Sequence, residues 1–129
     1  TDIDGLITNE KGLILSCFFA DCVPLYFVDK VKKVIGLAHS GWRGTVNQMG
    51  VCMVRKMQEV YGCQPEDIVA CIGSSICRDC YEVSEEVAVQ FTENFWAQSL
   101  VKDFCEVKRS STFSFHSSVI QPEELFRAN

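Results

Sequence analysis

Three side chains able to do chemistry lie in two short motifs. Cys22 is in "ADC" (20–22), and His39 and Arg43 are in "AHSGWRG" (38–44), the histidine seventeen positions after the cysteine. A thiolate beside an imidazole has two sharp uses: a cysteine nucleophile activated by a histidine base, or half of a zinc site, since both donors suit Zn2+. The bland alternative is a buried cysteine and an unrelated histidine. Arg43, Gly44 and Thr45 fall where a helix starts after an apolar run. A helix start offers unpaired N–H groups, and an arginine beside it completes a local anion site, for which phosphate or a nucleotide-like group is the natural guest. The competing reading is a structural turn in which Trp42 packs and Arg43 pairs with a carboxylate.

Two weaker signals remain. Cys77 and Cys80 form one C-x-x-C, "CRDC", with no second pair to complete a structural zinc site. Two reduced loop thiols are the favoured reading, with a redox pair or a partial metal site as alternatives. His116, in "FSFHSS", reads as a surface or packed histidine rather than a ligand. Of the eight cysteines, Cys17, Cys52 and Cys71 sit inside apolar segments, which favours reduced thiols and a cytoplasmic location over a secreted disulfide scaffold.

These residues need a scaffold. "GLILSCFF" (12–19), "VPLYFVD" (23–29) and "KVIGLAH" (33–39) are apolar at strand length and predict adjacent strands with both faces largely covered. Run antiparallel across the short "KVK" connection, the last two bring Cys22 and His39 to one edge of the sheet. From Thr45 the period changes: Val46, Met49, Met53, Met57 and Val60 recur at helical spacing, the run closes at Gly62, and Pro65 prevents its continuation. "DIVACIG" (67–73) predicts a strand and "SSICRDC" (74–80) a loop. Val87, Phe91 and Phe95 then predict a helix behind a Ser84 N-cap. Residues 99–121 carry no clear period, and Pro122 sits where a proline opens a last helix.

With 129 residues, 47% of them hydrophobic and 22% charged, the chain has the composition of one globular domain. A net charge of -5 excludes a general nucleic-acid binder, and no apolar run is long enough to cross a bilayer. The chain opens "TDIDG" and stops at "ELFRAN" inside an apparent helix. The expectation is a single domain over 1–129, truncated at both ends.

Taken together, "DGLIT" (4–8), "ADCVPL" (20–25), "AHSGWRGT" (38–45), "IGSSI" (72–76) and "CYEVSEEV" (80–87) resemble the multicopper polyphenol oxidase (laccase) domain proteins. That family is also called the purine nucleoside phosphorylase family and, in bacteria, peptidoglycan editing factors. The resemblance runs from Asp4 to about Val87. It implies an α+β fold, a layered sandwich of mixed β-sheets with helices packed outside, shared with a deamidating toxin domain that uses a Cys-His pair. It implies zinc held by a histidine, a cysteine and a second histidine. The last two fall on Cys22 and His39, and the first lies upstream of "DG-x-x-T", before Thr1. Ser40 stands where alanine is usual, Ser74 where proline is usual, and the family's C-terminal serine-arginine motif is missing.

Three ligands leave a fourth position open, the mark of a catalytic zinc. The implied reaction is phosphorolysis of adenosine, inosine and 5'-methylthioadenosine, with adenosine deaminase activity beside it. Cys22, His39 and Arg43 are then catalytic, Arg43, Gly44 and Asp4 bind purine nucleoside and phosphate, and Asp21 and Tyr81 are polar neighbours without assigned roles. A Cys-His hydrolase using Cys22 as nucleophile and a peptidoglycan editing factor acting by binding a precursor or partner are the alternatives. A multicopper oxidase needs many histidines and this chain has two. With one ligand upstream of Thr1, the 129-residue chain alone is expected to be inactive or nearly so.

Overall fold

A computed structural model describes residues 3–77 and 79–94, together with the backbone of 105–107 and 112–115. Phe95, His116, Pro122 and the expected last helix lie outside the described residues. Four strands, β1 (Gly5–Thr8), β2 (Val23–Asp29), β3 (Val34–Ser40) and β4 (Ile68–Ile72), form one sheet in the order β1-β3-β2-β4. Every pairing in it is antiparallel. β5 (Glu82–Ser84) opens a second antiparallel sheet with β6 (Cys105–Val107) and β7 (Thr112–Phe115), in the order β5-β7-β6. Two short helices and one longer one, α1 (Trp42–Val46), α3 (Glu85–Asn94) and α2 (Met49–Tyr61), complete the α+β arrangement.

The core forms where α2 lies on one face of the first sheet. Met53 and Met57 of α2 meet Phe27, Val34, Ala38 and Ile68 in a buried cluster that also takes in Cys63. Met57 and Val34 are completely buried, and each such side chain contributes about 1.5–3 kcal/mol by leaving water. Met53 approaches so closely that a Cβ on Gly5 would stand 2.6 Å from its sulfur, so a bare backbone at this position lets the helix seat. At the β2–β3 turn, Asp29 Oδ1 accepts the N–H groups of Val31 and Lys32, both at 2.8 Å. The Lys32 bond is the leading cause holding its carboxyl below the usual range. Beside it, burial and then the Asp29 carboxylate push the Cys63 thiol up to about 11.

Three expectations change. Residues 12–19 are not a strand but an irregular segment after a turn at Gly12, with Ile14 and Phe18 exposed. A continuous apolar run carries no period, and this one has no ladder partner among the described residues. Among the described residues, α2 covers one face of the sheet, and on the other Leu37 alone of the large apolar side chains is buried. Leu6, Tyr26, Val28, Ile35 and Val69 lie on the opposite face in mutual register and are exposed among the described residues. The helix expected from Thr45 is two helices. Gln48 adopts the left-handed conformation, φ 57° and ψ 49°, which interrupts the hydrogen-bond ladder between α1 and α2. Val46, Met53 and Met57 stay on the buried side across that break, while Val60 is exposed. The stop at Gly62 is as expected: φ is 65° and its N–H donates to the Gln58 carbonyl at 2.9 Å.

Candidate functional site

Register alone brings the cysteine and the histidine together. In the β2–β3 ladder Val23 pairs with Ser40 and Pro24 with His39, so Cys22, one residue before β2, stands across from the Ser40–Gly41 end of β3. A Cβ placed on Gly41 would lie 3.2 Å from Cys22 Sγ and 3.7 Å from His39 Cε1. Thiol and imidazole therefore face one point, within about 7 Å of each other by the sum of those distances. The missing side chain at Gly41 leaves the space between them open. Both residues are half-buried.

Elements on either side orient the pair. The Asp4 carbonyl accepts the His39 N–H at 2.7 Å, extending the β1–β3 ladder by one bond. The Asp4 side chain then places Oδ1 3.6 Å from His39 Nδ1. The Asp4 carboxylate therefore lies on the Nδ1 side of the ring, within ion-pair reach but beyond a hydrogen bond. Phe19 stacks on the imidazole, with ring centroids 5.7 Å apart and planes 28° apart. Beyond β4 the loop is laced to the Cys22 segment: Gly73 N–H donates to the Pro24 carbonyl at 2.9 Å and Ile76 N–H to the Asp21 carbonyl at 3.1 Å. Burial pushes the Tyr81 hydroxyl above its ordinary pKa, and the charges of Cys22 and Asp21 add to that rise. Tyr81 thus lies within electrostatic reach of Cys22 and Asp21.

The turn into α1 is held by hydroxyls. Ser40 Oγ and Thr45 Oγ1 are 3.0 Å apart, and Thr45 Oγ1 donates to the Gly41 carbonyl at 2.9 Å. Gly44 packs against this turn, where a Cβ would be 3.4 Å from Ser40 Oγ. Arg43 is exposed and lays its guanidinium over the Trp42 ring, 4.3 Å from the centroid. Among the described residues Arg43 makes no carboxylate ion pair, and the Trp42 ring is the partner it lies on. Arg43 borders an open cleft of about 420 Å³ between α1 and α3, with Trp42 and Asn47 on one wall and Glu86 and Gln90 on the other. Cys22 and His39 do not line that cleft. The structure thus brings together Cys22, His39 and Asp4, and sets Arg43 and Gly44 one turn away. α1 spans only five residues, so the dipole of a long helix does not reach the site.

The donor set fits zinc in kind, a soft thiolate with an imidazole oriented by a carboxylate. In number it is incomplete: no group of three or more His, Cys, Asp or Glu side chains that could hold a metal occurs among the described residues. Sequence reading passed over Phe19, Gly41 and the Ser40–Thr45 hydroxyl pair. The first sat inside a run read as a strand, and the others acquire meaning only once the β3–α1 turn is built.

Comparison with known proteins gives the family of the chain. The purine nucleoside phosphorylase YlmD of Bacillus subtilis is 52% identical over 84 residues, covering 65% of this chain and 30% of that protein. Adenosine deaminase RL5, from an unknown prokaryotic organism, is 38% identical over 89 residues, covering 69% of this chain and 34% of that protein. The crystal structure of Bacillus licheniformis hypothetical protein YfiH superposes with a TM-score of 0.80 at 33% identity, over 96% of this chain and 44% of that one. The chain therefore spans about a third of the length of the relatives it matches. Residues 1–123 match the family described as multi-copper polyphenol oxidoreductase laccase, and the chain belongs to that family.

Proposed function

We propose that this chain carries the zinc-binding edge of a purine nucleoside phosphorylase that acts on adenosine, inosine and 5'-methylthioadenosine, with adenosine deaminase activity at the same edge. The observation that carries the reading is the convergence of Cys22 and His39 on the open space before Gly41. The relatives named for purine nucleoside phosphorolysis and adenosine deamination support it. Cys22 Sγ and His39 Nε2 would hold the ion, and a ligand beyond the described residues would complete the set. Zinc supplies, when bound, a Lewis-acid charge and water of lowered pKa. The chain's own residues do the rest. Asp4 stands on the Nδ1 side of His39 and Phe19 fixes the plane of the ring. Arg43, spread on Trp42 and facing the cleft, is placed to take phosphate as a planar double donor. Tyr81 lies within electrostatic reach of Cys22 with a hydroxyl that stays protonated at neutral pH, a donor for a polar group on the substrate.

The same geometry favours one competitor. Asp4 orienting His39, and His39 beside Cys22, is also the order of parts in a cysteine hydrolase. Zinc ligation and nucleophilic attack compete for one thiolate, so bound metal separates the two.

The test joins this chain to the flanking segments of the Bacillus subtilis relative and measures zinc content and adenine release from adenosine with and without phosphate. Phosphate-dependent release in the zinc-loaded chimera, lost in Cys22→Ala and His39→Ala and nearly absent in the 129-residue chain, is the expected result. Release that ignores phosphate, or full activity without zinc, overturns the reading.

A further inference from the structure

Residues 77–80, the C-x-x-C motif, are not used by the site built on Cys22 and His39. Both cysteines are exposed and free, and their sulfurs are 3.1 Å apart. A turn holds them on the same side: the N–H groups of Cys80 and Tyr81 both donate to the Cys77 carbonyl at 3.1 Å. The two thiols are not equivalent. The Cys80 thiol, and then the backbone N–H groups of Cys80 and Asp79, favour a thiolate at Cys77, whose pKa is lowered. The Cys80 pKa is raised, chiefly because Cys80 shares its proton with Cys77. An exposed thiol whose ionised form is favoured by hydrogen bonds, with a second thiol in contact, is the arrangement that exchanges with disulfides.

We propose that Cys77 and Cys80 form a reversible thiol–disulfide exchange site whose substrate is the disulfide of a small soluble thiol of the glutathione class. The Cys77 thiolate attacks one sulfur of the incoming disulfide, forming a mixed disulfide and releasing one small thiolate. The cause that raised the Cys80 pKa is then gone, because Cys77 no longer carries charge. Cys80 loses its proton and attacks the Cys77 sulfur, releasing the second small thiolate and closing the Cys77–Cys80 bond. The protein loses two hydrogens, and the disulfide supplied is reduced to two thiols. Closure asks the sulfurs to approach from 3.1 Å to about 2.05 Å, a movement of about half an ångström each.

The site stands whether or not Cys22 binds zinc. Its loop nevertheless reaches the cysteine edge, since the Ile76 N–H donates to the Asp21 carbonyl.

The experiment uses the reduced wild-type chain in buffers of rising oxidised-to-reduced glutathione ratio, quenched in acid, alkylated and mapped by mass spectrometry. The exposed single thiols Cys17, Cys52 and Cys71 and the buried Cys63 are internal references. The expected result is joint loss of two alkylatable thiols, Cys77 and Cys80, with a linked peptide two hydrogens lighter, before the reference thiols react and reversible by dithiothreitol. Cys80→Ser should accumulate a glutathione adduct on Cys77, whereas Cys77→Ser should leave Cys80 no more modified than the references. Separate adducts on Cys77 and Cys80 in the wild type, or reference thiols that react first, overturn the proposal. The wild-type map decides alone where a variant does not fold.

Discussion

Gly41→Ala places one methyl group where the metal site would be and leaves the rest of the fold nearly untouched. Gly41 has φ -75° and ψ -173°, a conformation open to alanine, so the backbone bears no strain. Loss of a glycine N-cap costs about 0.5–1 kcal/mol of stability. At the site the effect is larger. The new Cβ would stand 3.2 Å from Cys22 Sγ, while comfortable contacts of carbon with heavy atoms begin at about 3.5–4.0 Å. The sulfur must therefore retreat by roughly 0.3–0.8 Å, and ligand distances in metal sites tolerate about ±0.2 Å. Zinc affinity should fall by about 10–100-fold, the range seen when a group that positions a ligand is disturbed, equivalent to about 1.4–2.7 kcal/mol. The assay is a titration with Co2+ as spectroscopic stand-in, followed by competition with Zn2+. The thiolate-to-cobalt absorption reports Cys22, and a thermal melt of the metal-free protein checks the fold. If Gly41→Ala keeps the parent affinity while Cys22→Ala loses the absorption, the metal does not sit between Cys22 and His39, and the reasoning fails.

Asp4→Asn should weaken metal binding less than His39→Ala does, and lower phosphorolysis by reducing kcat more than it raises KM, because Asp4 acts through His39; steady-state kinetics on the chimera check this. Arg43→Ala should raise the KM for phosphate with zinc content unchanged, and unchanged phosphate saturation counts against the Arg43 cradle. Met57→Ala should cost about 2–5 kcal/mol, read from urea unfolding, since Met57 is fully buried in the α2–sheet core. Asp29 stabilises the fold fully above its unfolded pKa of 3.8, and that stabilisation is lost as pH falls below it, because the folded pKa is lowered. Unfolding of the parent and of Asp29→Asn at pH 7 and pH 3 should therefore converge at the lower pH. Cys63 has the opposite sign: its pKa rises from 9.0 to about 11. Stability is thus fully present below pH 9 and falls as pH rises towards 11, a slope that Cys63→Ala should remove.

Elements with a period of their own were legible in the sequence. The spacing of Met49, Met53 and Met57 gave the helix, and Gly62 with Pro65 gave its stop, because a stripe and a left-handed cap are local properties. The strands expected at 23–29 and 33–39, observed at 23–29 and 34–40, were equally plain, since a short polar connection between two apolar runs leaves few alternatives to an antiparallel pair. The run 12–19 departs from the expected strand because pairing is not local, and nothing in a mostly apolar stretch of eight residues says whether a neighbouring strand is there to receive it. The break at Gln48 escaped for a related reason. Val46 and Met53 keep the same buried side on both sides of it, so the hydrophobic pattern runs through a point where the backbone does not.

At the site the division is sharper. That Cys22 and His39 share an edge follows from counting residues back from the turn held by Asp29, and the observed register of Pro24 with His39 has that count. A slip of one residue in this ladder would turn every side chain to the other face of the sheet. Asp29 is then part of the site's construction although it lies at the far end of both strands: by closing the turn with two backbone bonds it sets which residue of β3 comes to stand beside Cys22. What counting could not supply is the orientation of the imidazole. That depends on Asp4, the residue before β1, and Phe19 from the irregular segment, two pieces of chain whose place beside His39 is decided by tertiary packing. The thiol and imidazole are brought together by the hairpin, and the attitude of the imidazole is set by the residues packed around it.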